Sequence, residues 1–148
     1  MAEVRYVEEG VIAAPVEQVF DYRLDLLRLP DYNPNVSTIR RTDGGEEPGP
    51  EAEYVFELSI QGFTMEMPMR VVAAERPVRI VLETGPGYMA RETCSFEGIP
   101  DGTRVVFDTS LTVEGDVDEA TAKRLSDSGS EQVRLELENM RRILEARA

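Results

Sequence analysis

The amino-acid sequence predicts an α+β fold in which a curved antiparallel sheet of about six or seven strands wraps one long C-terminal helix. Residues 118–147 contain no proline and a single glycine, so nothing interrupts a helix over this stretch. Ahead of them, short segments alternate between apolar and polar residues and are separated by tight turns. Such alternation is typical of an antiparallel sheet with one buried face, which the long helix would cover.

The predicted elements begin with a strand over residues 3–13, which we expect to contain a bulge around Glu8 to Gly10. Pro15 suits the first position of a helix, because its missing N–H costs nothing there. A second short helix over residues 25–29 is expected to end before Pro30. The alternation then predicts six further strands, over residues 36–42, 52–60, 63–71, 78–82, 88–96 and 103–113.

The long helix carries side chains of two sizes on the face that would meet the sheet. With the helical period, small residues come first on this face and large ones follow: Ala122, Ser126, Gly129, Val133, Leu137, Met140 and Leu144. The large residues would seal one half of the concave face, and the small ones would leave room for a ligand at the other half. The alternative is that the small residues mark only a kink or a close contact with the sheet. We expect Asp116 and Glu119 to cap this helix.

Composition and charge exclude several classes of function. The 148 residues include 29 acidic and 16 basic side chains, for a net charge of −13, which repels phosphate backbones and anionic lipid headgroups. We therefore expect no nucleic-acid partner and no membrane insertion. The absence of histidine excludes Ser-His-Asp and Cys-His catalysis and the usual zinc sites. The one cysteine, Cys94, cannot form an intrachain disulfide and is expected to be a small buried residue.

These features predict one cytoplasmic domain over residues 1–148. No secretory signal and no apolar run long enough to span a membrane is visible. No glycine-rich phosphate loop and no metal-ligand spacing occurs either. We therefore expect no cofactor and no metal.

The N-terminal region resembles the START-like superfamily, also called SRPBCC. Residues 11–20 read VIAAPVEQVF and are similar to the "I-x-A-P-x-E-x-V-F/W" segment of that superfamily, with one additional alanine before the proline. Asp25 and residues 29–34, LPDYNP, resemble the "D…P-x-W-x-P" segment of polyketide cyclase/dehydrase-like members, with tyrosine in place of tryptophan. The resemblance implies the helix-grip fold and an apolar cavity between the curved sheet and the long helix. Members include lipid carriers, hormone-binding proteins, ubiquinone-binding proteins and polyketide aromatase/cyclases, and no catalytic set of the cyclases matches this sequence.

Alternation places aromatic and methionine side chains on the inner faces of the strands. They can line a ligand cavity or simply fill the core. Methionine adapts to variable apolar ligands, and the tyrosines add hydroxyl groups that need a partner when buried. The candidate lining residues are Tyr54, Phe56, Leu58, Met65, Met67, Met69, Tyr88, Phe107, Thr109 and Val133, with Ser126 and Gly129 of the helix.

Glu92 is the sharpest candidate for chemistry, because alternation places it on the apolar face of its strand. An unpaired carboxylate there costs several kcal/mol, so the protein must pair it, protonate it or use it. A bulge or shifted register would instead expose Glu92 and turn Arg91, Thr93 and Ser95 inward.

Glu136 lies at the edge of the apolar stripe of the long helix. We expect it to be a solvated residue with Arg134 or Arg142 nearby.

The function that these residues predict is binding of a hydrophobic or amphipathic small molecule (lipid, polyketide or quinone-like) in the internal cavity. The alternative is a polyketide aromatase/cyclase-like or dehydratase-like enzyme, in which Glu92 or Tyr88 moves protons. Two inward ionisable groups close together would favour the enzyme, and an all-apolar lining would favour the binding protein. The identity of the ligand and the oligomeric state are open at this point.

Overall fold

The computed structural model describes residues 2–147, and within them seven strands form one curved antiparallel sheet. The strands are β1 (Ala2–Ile12), β2 (Val36–Arg41), β3 (Glu53–Ile60), β4 (Phe63–Glu75), β5 (Arg79–Thr84), β6 (Ala90–Ile99) and β7 (Gly102–Val113). Their order in the sheet is β1-β7-β6-β5-β4-β3-β2. Strands β2 to β7 therefore form a continuous meander, and β1 pairs with β7, the last strand of that meander.

Within residues 2–147, three α-helices complete the fold: α1 (Val16–Leu24), α2 (Leu29–Tyr32) and α3 (Glu119–Glu145), with the 3₁₀ helix Leu26–Arg28 between α1 and α2. Helix α3 packs on the concave face, mainly against β1, and buries Val133, Leu137, Met140 and Leu144. The predicted helix-grip arrangement is thus confirmed. The cap of α3 is displaced from the predicted position, because the Asp118 side chain, rather than that of Asp116, accepts a hydrogen bond from the Thr121 N–H at 2.7 Å.

The core lies between the sheet and the three helices. Phe20 of α1 meets Phe96 of β6 edge to face, with ring centroids 5.3 Å apart. Cys94 is buried in the same core, as predicted. The largest fully buried side chains are Tyr32, Phe20, Phe107, Ile12, Leu26, Ile80, Leu82, Met140 and Leu144.

The predicted bulge at Glu8 to Gly10 is wrong. Strand β1 pairs with β7 in one uninterrupted register, from Ala2 opposite Val113 to Ile12 opposite Thr103. Gly10 serves the packing of α3 instead, because a Cβ at this position would lie 2.7 Å from Cδ2 of Leu137.

Some predicted boundaries also move. The short helix predicted over residues 25–29 is present as the 3₁₀ helix Leu26–Arg28, but Pro30 lies in the first turn of α2, which follows it directly, where proline needs no hydrogen-bond partner for its nitrogen. Tyr88 does not belong to a strand, because it ends the 3₁₀ turn Pro86–Tyr88 with a φ of 53°, which extended backbone excludes. Strand β6 begins only at Ala90.

The far end of the β3–β4 hairpin is exposed although its sequence alternates. Phe63 and Met65 are 74% and 48% exposed. The alternation therefore predicts burial correctly only for the other end of the hairpin, where Tyr54, Phe56 and Met69 are buried.

Candidate functional site

A cavity of about 140 Å³, partly open to solvent, lies between the sheet and α3. Its lining combines apolar and polar residues. The residues are Tyr6, Arg23, Leu29, Asn33, Val36, Phe56, Met69, Leu82, Thr84, Ala90, Glu92, Thr109 and Glu136.

Arg23 of α1 forms the centre of the polar cluster in this lining and is only 2% exposed. Its Nη2 donates to Oε1 of Glu92 at 2.5 Å, and its Nη1 donates to Oε1 of Glu136 at 3.2 Å. Nη1 also donates to the Tyr32 hydroxyl at 2.9 Å. The guanidinium carbon lies 5.1 Å from the centroid of the Phe107 ring, a distance at which cation and π-face attract. One cation therefore joins two carboxylates that come from a strand and a helix.

The loop between α2 and β2 holds the other side of this cluster. The Asn33 side chain donates to Oε2 of Glu136 at 2.6 Å, and its own oxygen accepts from the Asn35 N–H. One turn earlier on α3, Gln132 accepts from the Asn35 side chain at 2.9 Å. Both oxygens of Glu136 therefore have donors, as a buried carboxylate requires. The prediction of Glu136 as a solvated residue is wrong, because the loop and Arg23 cover it.

Burial is the main cause of the raised pKa of Glu136, and the charge of Glu92 adds to it. The Arg23 charge and the Asn33 hydrogen bond oppose this rise. Burial also acts to lower the pKa of Arg23, but Glu92, Tyr32 and Glu136 together raise it well above the usual value. The guanidinium thus stays charged while Glu136 holds its proton more tightly than an exposed glutamate.

Three polar side chains form a row across neighbouring strands on the cavity side. In the sheet register Tyr6 of β1 lies opposite Thr109 of β7, and Thr109 lies opposite Glu92 of β6. Directly opposed residues have Cβ atoms about 5 Å apart, so the three side chains are neighbours. Burial raises the pKa of Tyr6, Glu92 raises it further, and the Thr109 hydroxyl partly offsets the rise. Among residues 2–147, Thr109 Oγ1 has no hydrogen bond of normal geometry.

Gly129 allows Tyr6 to occupy this row. A Cβ on Gly129 would overlap the ring and hydroxyl of Tyr6. The space left by this glycine is therefore filled by the tyrosine.

Four of the predicted lining residues, Phe56, Met69, Glu92 and Thr109, line this cavity. Glu92 faces inward, and Arg91 lies on the outer face with Glu83. The other predicted residues do not line it: Tyr54, Phe107 and Val133 are buried in the core, Leu58, Met67, Ser126 and Gly129 are half-buried, and Met65 is exposed. The role of every one of them in ligand binding stays a prediction.

Tyr88 lines a different and larger depression, of about 550 Å³, between the Pro86–Met89 turn and residues 112–114. Arg70 stacks on its ring with the guanidinium carbon 3.9 Å from the centroid. Glu114 is the ionisable group that accompanies Tyr88 there. The inner cavity, by contrast, brings several buried ionisable groups together, and we place the candidate site there.

Arg23, Tyr6 and Asn33 are site residues that the sequence analysis missed. Arg23 follows Val16, Val19 and Phe20 at helical spacing, so it interrupts the apolar stripe of α1. Tyr6 shares a strand face with Val4 and Ile12. Both signals were available, whereas nothing local distinguishes Asn33 from an ordinary loop residue.

Within residues 2–147, no cluster of three or more acidic, cysteine or histidine side chains is arranged to hold a metal ion. Across the same part of the chain, no helix has the length and apolar character needed to span a membrane.

Solved structures share this architecture at low sequence identity. The di-domain ARO/CYC StfQ from the steffimycin biosynthetic pathway has a TM-score of 0.82 and 14% identity, over 98% of this chain and 52% of its own. The di-domain ARO/CYC BexL from the BE-7585A pathway has a TM-score of 0.79 and 18% identity, over 99% and 51%. A protein from Thermus thermophilus has a TM-score of 0.74 and 20% identity, over 99% of both chains. The chain spans about half the length of the two di-domain proteins, and these likenesses show the fold alone.

No curated protein matches the sequence of this chain. The family described as polyketide cyclase/dehydrase and lipid transport matches residues 3–145. Since the match covers almost every residue, and agrees with the resemblance of the N-terminal segments, the chain belongs to the polyketide cyclase/dehydrase and lipid transport family.

Proposed function

We propose that this protein binds an amphipathic small molecule in the cavity between the sheet and α3. The observation that carries the proposal is the mixed lining of the cavity. Phe56, Met69 and Leu82 offer apolar surface, and the carboxylate of Glu92, whose side chain is 17% exposed, offers polar atoms. A site of this kind gains affinity from apolar burial and orientation from a few polar groups.

The size of the cavity limits the ligand. Its volume of about 140 Å³ is below the range of roughly 300–1,000 Å³ that is usual for ligand pockets. We therefore expect a molecule with one or two rings, or the polar end of a longer molecule whose remainder leaves the cavity.

Native mass spectrometry of the purified protein, followed by solvent extraction, tests this proposal. We expect a bound amphipathic compound in the wild type and its loss in Ala90→Phe, because Ala90 lines the cavity and the larger side chain fills it. The control is Ala120→Phe, which places the same side chain at an exposed position of α3. An empty wild-type protein that also fails to take up added aromatic or lipid compounds would contradict the proposal.

A second candidate function is proton transfer in a cyclase-like or dehydratase-like reaction. The observation that favours it is the pair Glu92 and Glu136, which lie on one guanidinium inside the cavity. Burial raises the pKa of the Glu136 carboxyl group, and two carboxyl groups on one cation can exchange protons with a bound molecule.

Hydrogen–deuterium exchange at C2 of 1-tetralone tests the second candidate, since proton abstraction next to a carbonyl is the first step of an aldol cyclisation. An enzyme accelerates this exchange over buffer and loses the acceleration in Glu92→Gln. A binding protein leaves the exchange rate at that of buffer.

A further inference from the structure

We propose that the row formed by Tyr6, Thr109 and Glu92 selects a neutral ligand that presents a hydroxyl group and rejects one that presents a carboxylate. The inference rests on the proposed binding function and specifies the chemical class of the ligand. It is carried by the hydrogen-bonding capacity that remains on the polar residues of the cavity lining.

Glu92 keeps one oxygen for a ligand. Its Oε1 accepts from Arg23 at 2.5 Å, while no described residue donates to its Oε2. The side chain retains 17% of its exposure and lines the cavity. An ionised carboxylate only accepts hydrogen bonds, so this oxygen needs a donor from the ligand.

Thr109 supplies the complementary group. Its hydroxyl is buried and has no hydrogen bond of normal geometry within residues 2–147, and it lies directly opposite Glu92 in the register. A ligand hydroxyl can donate to Glu92 and, when rotation of the Thr109 side chain turns its buried hydroxyl toward the ligand, accept from Thr109 at the same time, because a hydroxyl has both capacities. A ligand carboxylate has nothing to donate to Glu92 and would add a second negative charge beside it.

Arg23 does not provide a site for a ligand carboxylate. Nη2 is bound to Glu92, and Nη1 is bound to Tyr32 and Glu136. Its Nε has no partner among the described residues, but a carboxylate binds arginine best through two neighbouring nitrogens. Such a ligand would have to displace Glu92 from Nη2, which leaves a carboxylate unpaired in the cavity.

Binding of three matched probes to the full chain at pH 7 tests this inference. The probes are 2-naphthol, which is neutral and has a donor, 2-methoxynaphthalene, which has no donor, and 2-naphthoate, which is an anion. Titration calorimetry gives the affinities, and amide shifts in NMR spectra identify the residues that respond. We expect 2-naphthol to bind about tenfold or more tightly than either other probe, since an unpaired buried polar group costs about that ratio.

Two variants assign the preference to the row. Thr109→Val keeps the shape of the side chain and leaves the Arg23–Glu92 pair intact. We expect this variant to lower the affinity for 2-naphthol several-fold and to change the affinity for 2-methoxynaphthalene little. Glu92→Gln is expected to reduce the ratio of the affinity for 2-naphthol to the affinity for 2-naphthoate, because the glutamine amide can donate to the ligand carboxylate. Glu97→Gln is the control, since it removes an equal charge from an exposed position of the same strand. If Glu92→Gln does not fold, Thr109→Val and the wild-type comparison decide.

The outcomes separate this inference from the function on which it rests. Equal or tighter binding of 2-naphthoate, or an unchanged preference in both folded variants, overturns the selectivity while the cavity still binds ligands. Absence of binding for all three probes at the cavity residues overturns the binding function and the selectivity together.

Discussion

The two halves of α3 pack against the same strand in opposite ways. In the C-terminal half the helix contributes the large residue, Leu137, and β1 contributes Gly10, whose absent Cβ would lie 2.7 Å from the leucine. In the N-terminal half the strand contributes the large residue, Tyr6, and the helix contributes Gly129, which leaves space for the tyrosine ring. The contact is therefore reciprocal: the glycine belongs to β1 in the C-terminal half and to α3 in the N-terminal half.

This difference explains the two sizes of side chain along α3. In the C-terminal half, large apolar residues close the sheet and bury Glu136 with them. In the N-terminal half, small residues allow a polar side chain of the sheet to reach the cavity. Small residues on a helix thus indicate how far a partner side chain enters, and do not by themselves indicate empty space.

The largest expected effect comes from removing the charge that holds Glu136 in the C-terminal half. Arg23→Met leaves two inward carboxylates without their cation, and we expect a loss of about 3–5 kcal/mol in the free energy of unfolding. Arg134→Met is the comparison, because Arg134 joins α3 to Glu8 of β1 at the surface. We expect a loss of about 0–1 kcal/mol for this second variant. Equal losses of unfolding free energy for the two variants in urea titrations would show that the buried cluster stabilises the fold no more than the surface ion pair.

The next effect compares apolar side chains of the two halves. Leu144 is fully buried, and Leu144→Ala is expected to cost about 2–5 kcal/mol through lost burial and a cavity. Leu125 of the N-terminal half is only half-buried, so Leu125→Ala should cost roughly half as much or less. Thermal and urea unfolding of both variants measure the difference. Similar losses would mean that the N-terminal half is packed as tightly as the rest.

A smaller effect with a change of sign is expected at Gly129. In Gly129→Ala, the higher helix propensity of alanine should raise the free energy of unfolding by about 1 kcal/mol. Overlap of the new Cβ with the rigid Tyr6 ring should lower it by about 1–3 kcal/mol. The net result is a modest destabilisation. In a Tyr6→Leu background the overlapping atoms are absent, and Gly129→Ala should become stabilising by up to about 1 kcal/mol.

Gly10→Ala is the counterpart in the other half. It meets the tip of Leu137, which can rotate away, so we expect a smaller cost than at Gly129. A double-mutant cycle between residues 6 and 129 that shows no coupling would contradict the reciprocal packing.

The last expected effect is a gradual dependence of stability on pH that comes from Glu136. Its pKa is raised by burial, so the folded protein binds this proton more tightly than the unfolded chain, whose value is near 4.5. The stabilising contribution is therefore complete below pH 4.5 and is lost as pH rises through the folded pKa. We expect the stability of the wild type to fall relative to Glu136→Gln across this window, by at most about 1.4 kcal/mol per pH unit.

Urea unfolding between about pH 4.5 and 8 measures this difference, with Glu138→Gln as a control on the exposed face of the same helix. Asp43 does not contribute to a change in stability over this pH range. The hydrogen bond from Arg41 is the main cause that lowers its pKa to about 2, so its stabilising contribution is lost only in stronger acid. A wild-type stability that rises relative to Glu136→Gln would contradict the raised pKa.

The sequence by itself determined the fold and the inward face of β6. Uninterrupted helical residues predict α3, and period-two alternation predicts the strands, because both patterns depend on local backbone geometry. The inward position of Glu92 follows from the same alternation. The bulge predicted in β1 is absent. Gly10 instead leaves space for the side chain of Leu137 in α3, which lies 127 positions away in the sequence.

Only the tertiary structure decided which partners meet at the site. Arg23 contacts Glu92 and Glu136 across 69 and 113 positions of sequence, and Asn33 completes the cluster from a loop. Alternation also continues through Met65, but nothing covers that end of the hairpin among the described residues, so the side chain is exposed. A local pattern fixes the face on which a side chain lies. Whether that face is buried, and which charge lies opposite, depends on the long-range packing of elements that no local pattern contains.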